Sequence, residues 1–256
     1  MAVSGSHMPE QTKLLIILAT YNEAGNIKVV YSLLRQTVPH ADILFVDDNS
    51  PDGTGEMIDQ IIEDDSRVHV IHRPSKMGVG GAHRDGLSWA YENNYTTAMT
   101  MDCDLLHSPE YVPEFLAVDP DATIVVGSRF LVANSLHGWE LHRRLLTHTG
   151  RVLAKYCLGM DYDSTGSFRR YDLTTIPRRY LDLVETNGYS FFFESLHVLH
   201  MNGFRIDQVP VILLARTKGK SKMTLRDVFI GFRVLLRQIY KMRFQKERLL
   251  LNSDTI

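Results

Sequence analysis

The feature that most constrains the fold is a series of five apolar segments, each closed by polar residues, in the first half of the chain. The segments are KLLIILATYNE (13–23), ADILFVDDNS (41–50), RVHVIHR (67–73), TTAMTMD (96–102) and ATIVVGSR (122–129). Such apolar runs are typical of strands that are buried on both faces, and helix-compatible stretches separate most of them. The alternation predicts βαβ units in an α/β fold, with a mostly parallel central sheet flanked by helices.

Polar side chains follow the carboxyl ends of four of these predicted strands. In open parallel sheets, ligands bind beyond the carboxyl ends of the strands, so these side chains are candidates for a binding site. Strand ends that share one edge of a sheet bring their residues together in space. We therefore expect eight residues to converge: Tyr21, Asn22, Glu23, Asp47, Asp48, Asp102, Asp104 and Arg129.

Composition limits the kinds of protein that the chain can be. Its 256 residues, 44% of them hydrophobic, suffice for one large α/β domain. A formal net charge of −2 gives no global attraction for nucleic acid, so no such partner is expected. Cys103 and Cys157 are too few for a disulfide framework, which fits a reducing cytosol. No apolar run approaches the roughly 20 residues that span a bilayer, so any membrane contact is expected to be peripheral.

Asp102 and Asp104 flank Cys103 at the end of the fourth predicted strand. Two carboxylates so placed can face one hard cation, and Mg²⁺ or Mn²⁺ usually takes its remaining ligands from phosphates and water. A solvated acidic turn is the alternative. Because Leu106 stands where a third polar ligand would be useful, the site would be completed by His107, by water or by a substrate diphosphate.

Two further motifs point to a nucleotide. Asp47 and Asp48 directly follow a strand and can accept hydrogen bonds from ribose hydroxyls or a base edge, although a tight turn and a helix cap also explain this stretch. GVGGAH (78–83) does not follow a strand, and His83 stands where a third small residue should be, so the dinucleotide fingerprint fails. Its glycines instead allow close backbone approach before a helix whose Asp85 is expected to reach a nucleotide.

Cations are concentrated in the second half of the chain. In this half we expect a helix around residues 139–158, turns over DSTGSFRRY (163–171), a helix near 193–202 and a strand near 205–214. Planar arginines and mobile lysines suit phosphate recognition, and a solvated basic loop is the alternative. The candidates are Arg129, Arg143, Arg144, Arg169, Arg216, Lys218, Lys220 and Lys222. His197 and His200 lack a metal-binding pattern and are expected to be structural.

The stretch 224–242 predicts a basic amphipathic helix. Its apolar arc comprises Leu225, Val228, Phe229, Phe232, Leu235, Leu236 and Ile239, and its basic stripe comprises Arg226, Arg233, Arg237 and Lys241. Such a helix can lie in a membrane interface, or it can pack its apolar face on the sheet, and the sequence leaves both open.

Six motifs stand in order along the chain: TYNE (20–23), VDDNSPDGT (46–54), DCD (102–104), GSRF (127–130), DSTGSFRRY (163–171) and RTKGKSKM (216–223). In this series the sequence resembles the inverting family-2 glycosyltransferases, and among them the polyprenol-phosphate (dolichol-phosphate) mannose synthases. The resemblance implies the Rossmann-like nucleotide-diphospho-sugar transferase fold of the glycosyltransferase A type. It also implies metal-dependent transfer of mannose, with inversion, from GDP-mannose to a polyprenyl monophosphate, with Mg²⁺ or Mn²⁺ as cofactor.

The resemblance assigns roles to residues that match the motifs. The donor would be bound by Tyr21, Glu23, Asp47, Asp48, Asp102, Arg216 and Lys222, and Asp85 joins this set from the reasoning above. The metal would be held by Asp102 and Asp104, and the acceptor phosphate by Arg129, Arg143 and Thr147. Catalytic roles would fall to Asp104, Arg129 and Arg143.

Three segments are expected along the chain. Residues 1–8, MAVSGSHM, lack the features of a signal peptide and read as an expression-vector remnant. Residues 9–223 would form the catalytic glycosyltransferase domain, and residues 224–256 the basic amphipathic helix and a tail.

We expect the protein to be cytoplasmic and peripheral on the cytoplasmic face of a membrane, alone or with a separate membrane-anchoring protein.

The chemistry of the acceptor favours the lipid-phosphate subclass. A phosphate monoester arrives already ionised and needs cations rather than a general base. The alternatives are a hexosyltransferase that uses another nucleotide sugar, such as UDP-glucose, or a soluble hydroxyl acceptor, for which Glu194 is the candidate base. A sugar nucleotidyltransferase is a second alternative, but it would show a Gly-rich loop with a lysine where TYNEAGN stands. A non-catalytic binding protein is a third, and it would explain why Leu106 and Phe192 stand where relatives carry polar residues.

Overall fold

A seven-stranded sheet forms the centre of the molecule in the computed structural model, which describes residues 12–133, 135, 141–212 and 225–251. The side chains of residues 141–143 and 225 lie outside this description. The strands are β1 (Leu14–Thr20), β2 (Asp42–Asp47), β3 (Val68–His72), β4 (Thr97–Asp102), β5 (Ile124–Ser128), β6 (Arg169–Asp172) and β7 (Ile206–Pro210). Their order across the sheet is β3-β2-β1-β4-β6-β5-β7.

The pairing of the strands confirms the predicted α/β fold with a mostly parallel sheet. β1 pairs in parallel with both β2 and β4, β2 pairs in parallel with β3, and β5 with β7. All five strands expected in the first half are present, and the strand expected near residues 205–214 is β7. The apolar runs of β1, β2, β4 and β5 are buried on both faces, as expected for interior strands, whereas the edge strands β3 and β7 are only partly buried.

The short strand β6 is the element that the sequence does not predict. We expected turns over residues 163–171, whereas Arg169–Asp172 runs antiparallel to both β4 and β5. Four residues that include two arginines offer no apolar pattern by which to recognise a strand. Because β6 inserts between β4 and β5, it separates the end of β5 from the edge formed by β1, β2 and β4.

Helices cover both faces of the sheet. They are α1 (Ala24–Thr37), α2 (Thr54–Asp64), α3 (Val79–Glu92), α4 (Val112–Leu116), α5 (Leu141–Leu158), α6 (Arg179–Asp182), α7 (Ser190–Met201) and α8 (Leu225–Phe244), with 3₁₀ turns at Pro109–Tyr111 and Lys246–Arg248. Alternate residues of β1 point to opposite faces. Ile16 and Leu18 pack with α1, α2 and α4, whereas Leu15 and Ile17 pack with α3, α5, α7 and α8.

The helices expected in the second half correspond to α5, α7 and α8. α8 packs against α5 and α7, so it is joined to the body of the protein. The predicted domain boundary after residue 223 falls outside the described residues. Among the helices that the structure describes, none is long and apolar enough to cross a membrane.

Candidate active site

The carboxyl ends of β1, β2 and β4 form one edge of the sheet, where most of the predicted site residues lie. The parallel register places Thr20 opposite Asp47, and Ala19 opposite Asp102. The predicted convergence of the strand-end residues of these three strands is therefore confirmed. We call this edge, with residues 20–23, 47–48 and 102–104, the carboxylate edge. Arg129 lies at the end of β5, beyond β6.

Asp47 is buried and organises the turn that follows β2. One carboxylate oxygen, Oδ1, accepts hydrogen bonds from the hydroxyls of Thr20 at 3.1 Å and Ser50 at 2.6 Å. The other, Oδ2, accepts from the backbone N–H of Ser50 at 3.0 Å. The next carboxylate of the turn, Asp52, accepts from the Thr54 hydroxyl at 2.6 Å and from the Ala24 N–H at 3.2 Å. The tight turn considered as an alternative is therefore present at the predicted nucleotide site.

Asp48, Arg73 and Asp85 form a charged cluster next to this turn. Asp48 is ion-paired with Arg73, and its Oδ2 also accepts from the backbone N–H groups of Met77 and Gly78, each at 3.2 Å. Arg73 Nε lies 2.9 Å from Asp85 Oδ2, and Asp85 retains about half of its exposure. The buried guanidinium thus holds two predicted donor-binding carboxylates in one group. The sequence motifs do not identify Arg73 as a site residue, although its position at the end of the third predicted strand could have indicated that it lies at this edge of the sheet.

The glycines of GVGGAH permit close packing rather than dinucleotide binding, as expected. Gly78 has a φ of +97°, which favours glycine. A Cβ at Gly80 would lie 2.3 Å from the Cβ of Phe191 and 2.5 Å from the carbonyl oxygen of Gly188. The start of α3 therefore lies directly against the start of α7, and this contact fixes the position of Asp85 relative to the second half of the chain.

Tyr21 and Glu23 follow β1 on the same edge. The Lys76 ammonium lies 4.1 Å from the centre of the Tyr21 ring, a cation–π contact between two loops of the site. The Glu23 carboxylate is buried and accepts from Asn26 Nδ2 at 2.7 Å, while its backbone N–H donates to Thr54 Oγ1 at 2.9 Å. The structure thus connects the TYNE stretch to the turn after β2.

Asp102 is the last residue of β4, and Asp104 lies in the tight turn that follows. Asp102 Oδ1 accepts a hydrogen bond from the Ser167 hydroxyl at 2.8 Å. Asp104 Oδ1 accepts from the backbone N–H of Leu106 at 3.2 Å, and Leu105 adopts a φ of +62°. Leu106 therefore contributes its backbone rather than its side chain to this turn.

His107 has a structural role beside these carboxylates. Its Nδ1 accepts a hydrogen bond from the backbone N–H of Asp102 at 3.2 Å, and its ring stacks on Phe168 with 5.0 Å between centres. The ring is buried. Of the three ways to complete a metal site that the sequence left open, His107 is therefore the least favoured. Among the residues that the structure describes, no three His, Cys, Asp or Glu side chains form a group that could hold a metal ion.

Arg129 makes a buried, two-pronged ion pair with Asp163. Its Nε and Nη2 lie 2.7 and 2.6 Å from the two carboxylate oxygens, and Nη2 also donates to Thr165 Oγ1 at 2.6 Å. Burial opposes ionisation of Asp163, but the charge and hydrogen bonds of Arg129 outweigh it and keep the pKa of Asp163 below its ordinary value. The guanidinium is thus charged and fixed in orientation.

Arg169 does not belong to the exposed cations, contrary to expectation. It is fully buried on β6, and its guanidinium donates to three carbonyl oxygens. The acceptors are those of Gly166 at 2.9 Å, Ser164 at 3.0 Å and Phe192 at 2.7 Å. Arg169 therefore holds the backbone of the preceding loop in place.

Several predicted residues lie outside what the structure describes. Arg216 and Lys222 fall in residues 213–224, and the side chain of Arg143 is not described, although its backbone is part of α5. Thr147 lies one turn further along α5 and is half-buried. The roles of these four residues stay predictions.

Glu194 is not a general base. Its carboxylate is fully buried, with Oε1 accepting from Arg237 at 2.7 Å and from Gln238 at 2.8 Å. Its Oε2 accepts from the backbone N–H and the hydroxyl of Thr186 at 2.9 and 2.8 Å. The soluble-acceptor alternative therefore loses its candidate base. His197 Nδ1 lies 3.2 Å from the side-chain oxygen of Gln238 in the same cluster, which confirms a structural role.

Two curated relatives cover most of the chain. The undecaprenyl-phosphate mannosyltransferase of Micrococcus luteus is 36% identical over 213 residues, which are 83% of this chain and 88% of the relative. The polyprenol monophosphomannose synthase of Mycolicibacterium smegmatis is 34% identical over 215 residues, or 83% of this chain and 81% of that protein. These relatives confirm the resemblance that the ordered motifs indicated.

Solved structures share the fold at low sequence identity. Glucosyl-3-phosphoglycerate synthase from Mycobacterium tuberculosis, in complex with Mn²⁺, UDP and phosphoglyceric acid, has a TM-score of 0.62 at 17% identity, covering 95% of this chain and 81% of that chain. A mannosyltransferase from Pyrobaculum calidifontis, in complex with GDP-mannose and Mn²⁺, has a TM-score of 0.53 at 15% identity, covering 92% and 69%. The predicted glycosyltransferase A type fold is confirmed. The glycosyl transferase family 2 model matches residues 15–177, and with the curated relatives this match shows that the chain belongs to that family of glycosyltransferases.

Proposed function

We propose that the protein transfers mannose from GDP-mannose to a polyprenyl monophosphate, with inversion at the anomeric carbon. The observation that carries this proposal is the arrangement of charge. A carboxylate edge suited to a metal–diphosphate lies on one side of β6, and a fixed cation, Arg129, lies at the end of β5 on the other side. The acidic residue considered as a base, Glu194, is buried in an ion pair with Arg237. A site with cations and without that base suits an acceptor that is already ionised.

The donor nucleotide is proposed to lie on the carboxylate edge between the TYNE stretch and α3. Asp47 and Asp48 are buried there, and the half-exposed carboxylate of Asp85 beside Arg73 can meet a base or ribose hydroxyl. Tyr21 offers an aromatic face close to Lys76. The names of the two curated relatives support a mannosyl donor, and guanosine as the nucleoside is part of our proposal.

Asp102 and Asp104 are proposed to hold Mg²⁺ or Mn²⁺ with the donor diphosphate. Two hard carboxylates at a strand end suit such a cation, which leaves its other positions to phosphate oxygens and water. The bound ion would neutralise charge on the departing diphosphate. The hydrogen bond from Ser167 fixes Oδ1 of Asp102, and Arg216 and Lys222 are proposed to close over the diphosphate.

The acceptor phosphate is proposed to be bound by Arg129, Arg143 and Thr147. Because Asp163 and Thr165 engage Nε and Nη2 of Arg129, a phosphate in this arrangement would contact Nη1. The cations position the acceptor oxygen for attack on the face of the sugar opposite the diphosphate, and that geometry inverts the anomeric configuration.

A membrane-facing surface on α8 supports a lipid acceptor. One side of the helix, comprising Phe229, Phe232, Leu236, Tyr240 and Phe244, is at least half exposed. The other side, with Val234 and Leu235, packs into the core, so the exposed side is the one that we propose to lie in a membrane interface. Exposed Leu145, Val152 and Tyr156 of α5 add to the apolar surface. Arg237 and Lys241 of the predicted basic stripe instead pair with Glu185.

This surface suits peripheral binding to a membrane, and we propose that the protein binds the cytoplasmic face, alone or with a separate membrane-anchoring protein. An apolar helix face of this kind inserts only about 5–10 Å into the boundary between headgroups and acyl chains. That depth suits an enzyme whose acceptor phosphate lies at the headgroup level while the polyprenyl chain stays in the bilayer.

The proposed donor and stereochemistry are tested with a panel of nucleotide sugars. The protein is incubated with Mn²⁺, a short polyprenyl phosphate and GDP-mannose, GDP-glucose, UDP-glucose or UDP-N-acetylglucosamine in separate reactions. Lipid-linked sugar is expected to form fastest from GDP-mannose, and NMR of the product is expected to show the β-anomer. Preference for a UDP-sugar would contradict the donor assignment, and an α-anomer would contradict inversion.

A further inference from the structure

The loop of residues 163–167, which we call the DSTGS loop, lies between the ends of β4 and β5. The Thr100 hydroxyl of β4 donates to the carbonyl oxygen of Ser167 at 2.6 Å. On the other side, the Gly127 N–H of β5 donates to the carbonyl oxygen of Phe168 at 2.9 Å. The buried Arg169 binds the carbonyl oxygens of Ser164 and Gly166. The backbone of the loop is therefore tied to both strands.

The two ends of the DSTGS loop contact two different parts of the proposed site. At one end, the buried hydroxyl of Ser167 donates to Asp102 Oδ1 at 2.8 Å. This bond restricts rotation of the carboxylate and so sets the direction of its second oxygen. A hydrogen bond behind a ligating carboxylate is the kind of support that metal sites require.

At the other end, Asp163 orients Arg129. It accepts from the backbone N–H of Arg129 at 3.2 Å as well as from two guanidinium nitrogens. Its own backbone N–H donates to the side-chain oxygen of Gln208 on β7 at 3.2 Å. A planar guanidinium held by two parallel bonds has little freedom to turn, so the direction of its remaining nitrogen is fixed.

We propose that the DSTGS loop is a positioning element that sets the distance between the donor metal site and the acceptor cation. Ser167 positions Asp102, and Asp163 positions Arg129; neither is proposed to touch the substrates. In-line transfer needs the reacting atoms about 3–3.5 Å apart, and a displacement of about 1 Å can cost on the order of 10²-fold in rate. One rigid segment that touches both sides is suited to that demand. This inference rests on the proposed function.

The Ser167 end is tested by metal binding. Electron paramagnetic resonance of free Mn²⁺ in the presence of GDP gives the affinity without catalysis. We expect Ser167→Ala to weaken Mn²⁺ binding roughly tenfold, and Ser167→Thr, which keeps the hydroxyl, to recover most of it. Ser128→Ala is the matched control, because this buried hydroxyl makes no hydrogen bond within the described part of the chain.

The outcomes of this measurement separate the two proposals. Wild-type affinity in Ser167→Ala overturns the positioning role of Ser167 while leaving the metal site intact. Equal loss in Ser167→Ala and Ser128→Ala overturns it as well, since that pattern reports general damage to the core. A wild-type protein that binds no Mn²⁺ with GDP present contradicts the proposed function itself.

The Asp163 end is tested by acceptor kinetics. We expect Asp163→Asn to lower kcat/KM for polyprenyl phosphate at least tenfold while Mn²⁺ affinity with GDP stays within about twofold of wild type. Thr165→Val, which removes a partner of Arg129 and keeps the buried ion pair, is expected to give a smaller loss of the same kind and serves if Asp163→Asn does not fold. Unchanged acceptor kinetics in a folded variant, or equal losses on the metal and acceptor sides, would overturn the role of Asp163.

Discussion

The donor side and the acceptor side of the proposed site are constructed in different ways. The carboxylate edge consists of residues at the ends of neighbouring parallel strands, and most of its carboxylates are held by groups in their own turns, as Asp47 is by Ser50. On the acceptor side, Arg129 is held by Asp163, which lies far along the chain. The donor side is therefore mostly local, except that Arg73 holds Asp48 and Ser167 of the DSTGS loop holds Asp102. The acceptor cation depends wholly on how that distant loop packs.

The two sides also differ in charge and in what a substitution would disturb. Loss of a carboxylate on the donor side should affect metal and nucleotide, and loss of a cation on the acceptor side should affect the lipid phosphate alone. The predictions below test this separation, beginning with the largest expected effect.

Asp104→Ala should abolish metal-dependent transfer, with a loss of turnover on the order of 10³-fold, because charge on the departing diphosphate would be left uncompensated. Initial rates of lipid-linked mannose formation at several Mn²⁺ concentrations provide the measurement. Asp121→Ala, at an exposed carboxylate in the connection before β5, is the control and should behave as wild type. Full activity of the wild-type protein with EDTA present would remove the metal from the proposed mechanism.

Mild acid should destabilise the protein through His83 of α3 and not through the ion pair of Arg129 with Asp163. Burial lowers the pKa of His83 from 6.5 to about 3, so below about pH 6.5 the unfolded chain takes up a proton that the folded protein does not. Between about pH 6.5 and 5 this costs roughly 2 kcal/mol of unfolding free energy. Urea unfolding at both pH values should show this loss in wild type and a smaller loss in His83→Leu.

The contribution of Asp163 to the free energy of unfolding is lost at a much lower pH than the contribution of His83. The folded pKa of Asp163 lies below the ordinary value of 3.8, so the stabilisation is present above that value and is lost only as the pH falls below it. Asp163→Asn should therefore lose the same amount of stability at pH 7 and at pH 5. A loss that is smaller at pH 5 than at pH 7 would show that Asp163 takes up a proton in this range, so that the acceptor-side pair is not fully ionised at pH 5.

Arg143→Ala should raise the KM for polyprenyl phosphate roughly tenfold and leave the KM for GDP-mannose nearly unchanged, because a charge-assisted bond to phosphate is worth about 1.5–3 kcal/mol. Arg67→Ala, at an exposed cation directly before β3 and hence at the opposite edge of the sheet, is the control and should change neither constant. Equal increases in both constants would take Arg143 out of the acceptor site and weaken the separation between the two sides.

Phe229→Ser should reduce binding to lipid vesicles by up to about tenfold, because an exposed aromatic side chain would no longer insert into the interface. Flotation with vesicles of phosphatidylcholine and phosphatidylglycerol measures this partition. Val29→Ser, at an exposed apolar residue of α1 on the opposite face of the sheet, should have no effect. Equal flotation of all three proteins would rule out α8 as the membrane-facing surface.

The sequence predicts the position of the carboxylate edge well because the signals of its strands are local. The apolar runs that end at Asp47 and Asp102 identify strands, and parallel strands place their ends together without further information. The acceptor side could be predicted only in part. Arg129 stands out at a strand end, but its partner Asp163 is 34 residues away, and only tertiary packing joins them.

The elements that the sequence does not predict share the same physical cause. β6 is too short and too charged to show the two-residue alternation of apolar and polar side chains that identifies a strand. The sequence therefore predicts turns both for this strand and for the DSTGS loop that leads into it. The hydrogen bond from Ser167 to Asp102 spans 65 residues. Arg169 looks like a surface cation because burial of a guanidinium without a carboxylate partner is rare. The carbonyl oxygens and the Ser195 hydroxyl gathered around it make that burial tolerable.

The central claim is that the acceptor is a phosphate that needs cations and no base. It is tested most directly by comparing a short polyprenyl phosphate with the corresponding polyprenol, using GDP-mannose labelled in the sugar and saturating Mn²⁺. The account predicts lipid-linked mannose from the phosphate and none above background from the alcohol. Comparable mannose transfer to the alcohol would contradict the account, because a base would then have to act in a site where Glu194 is unable to serve.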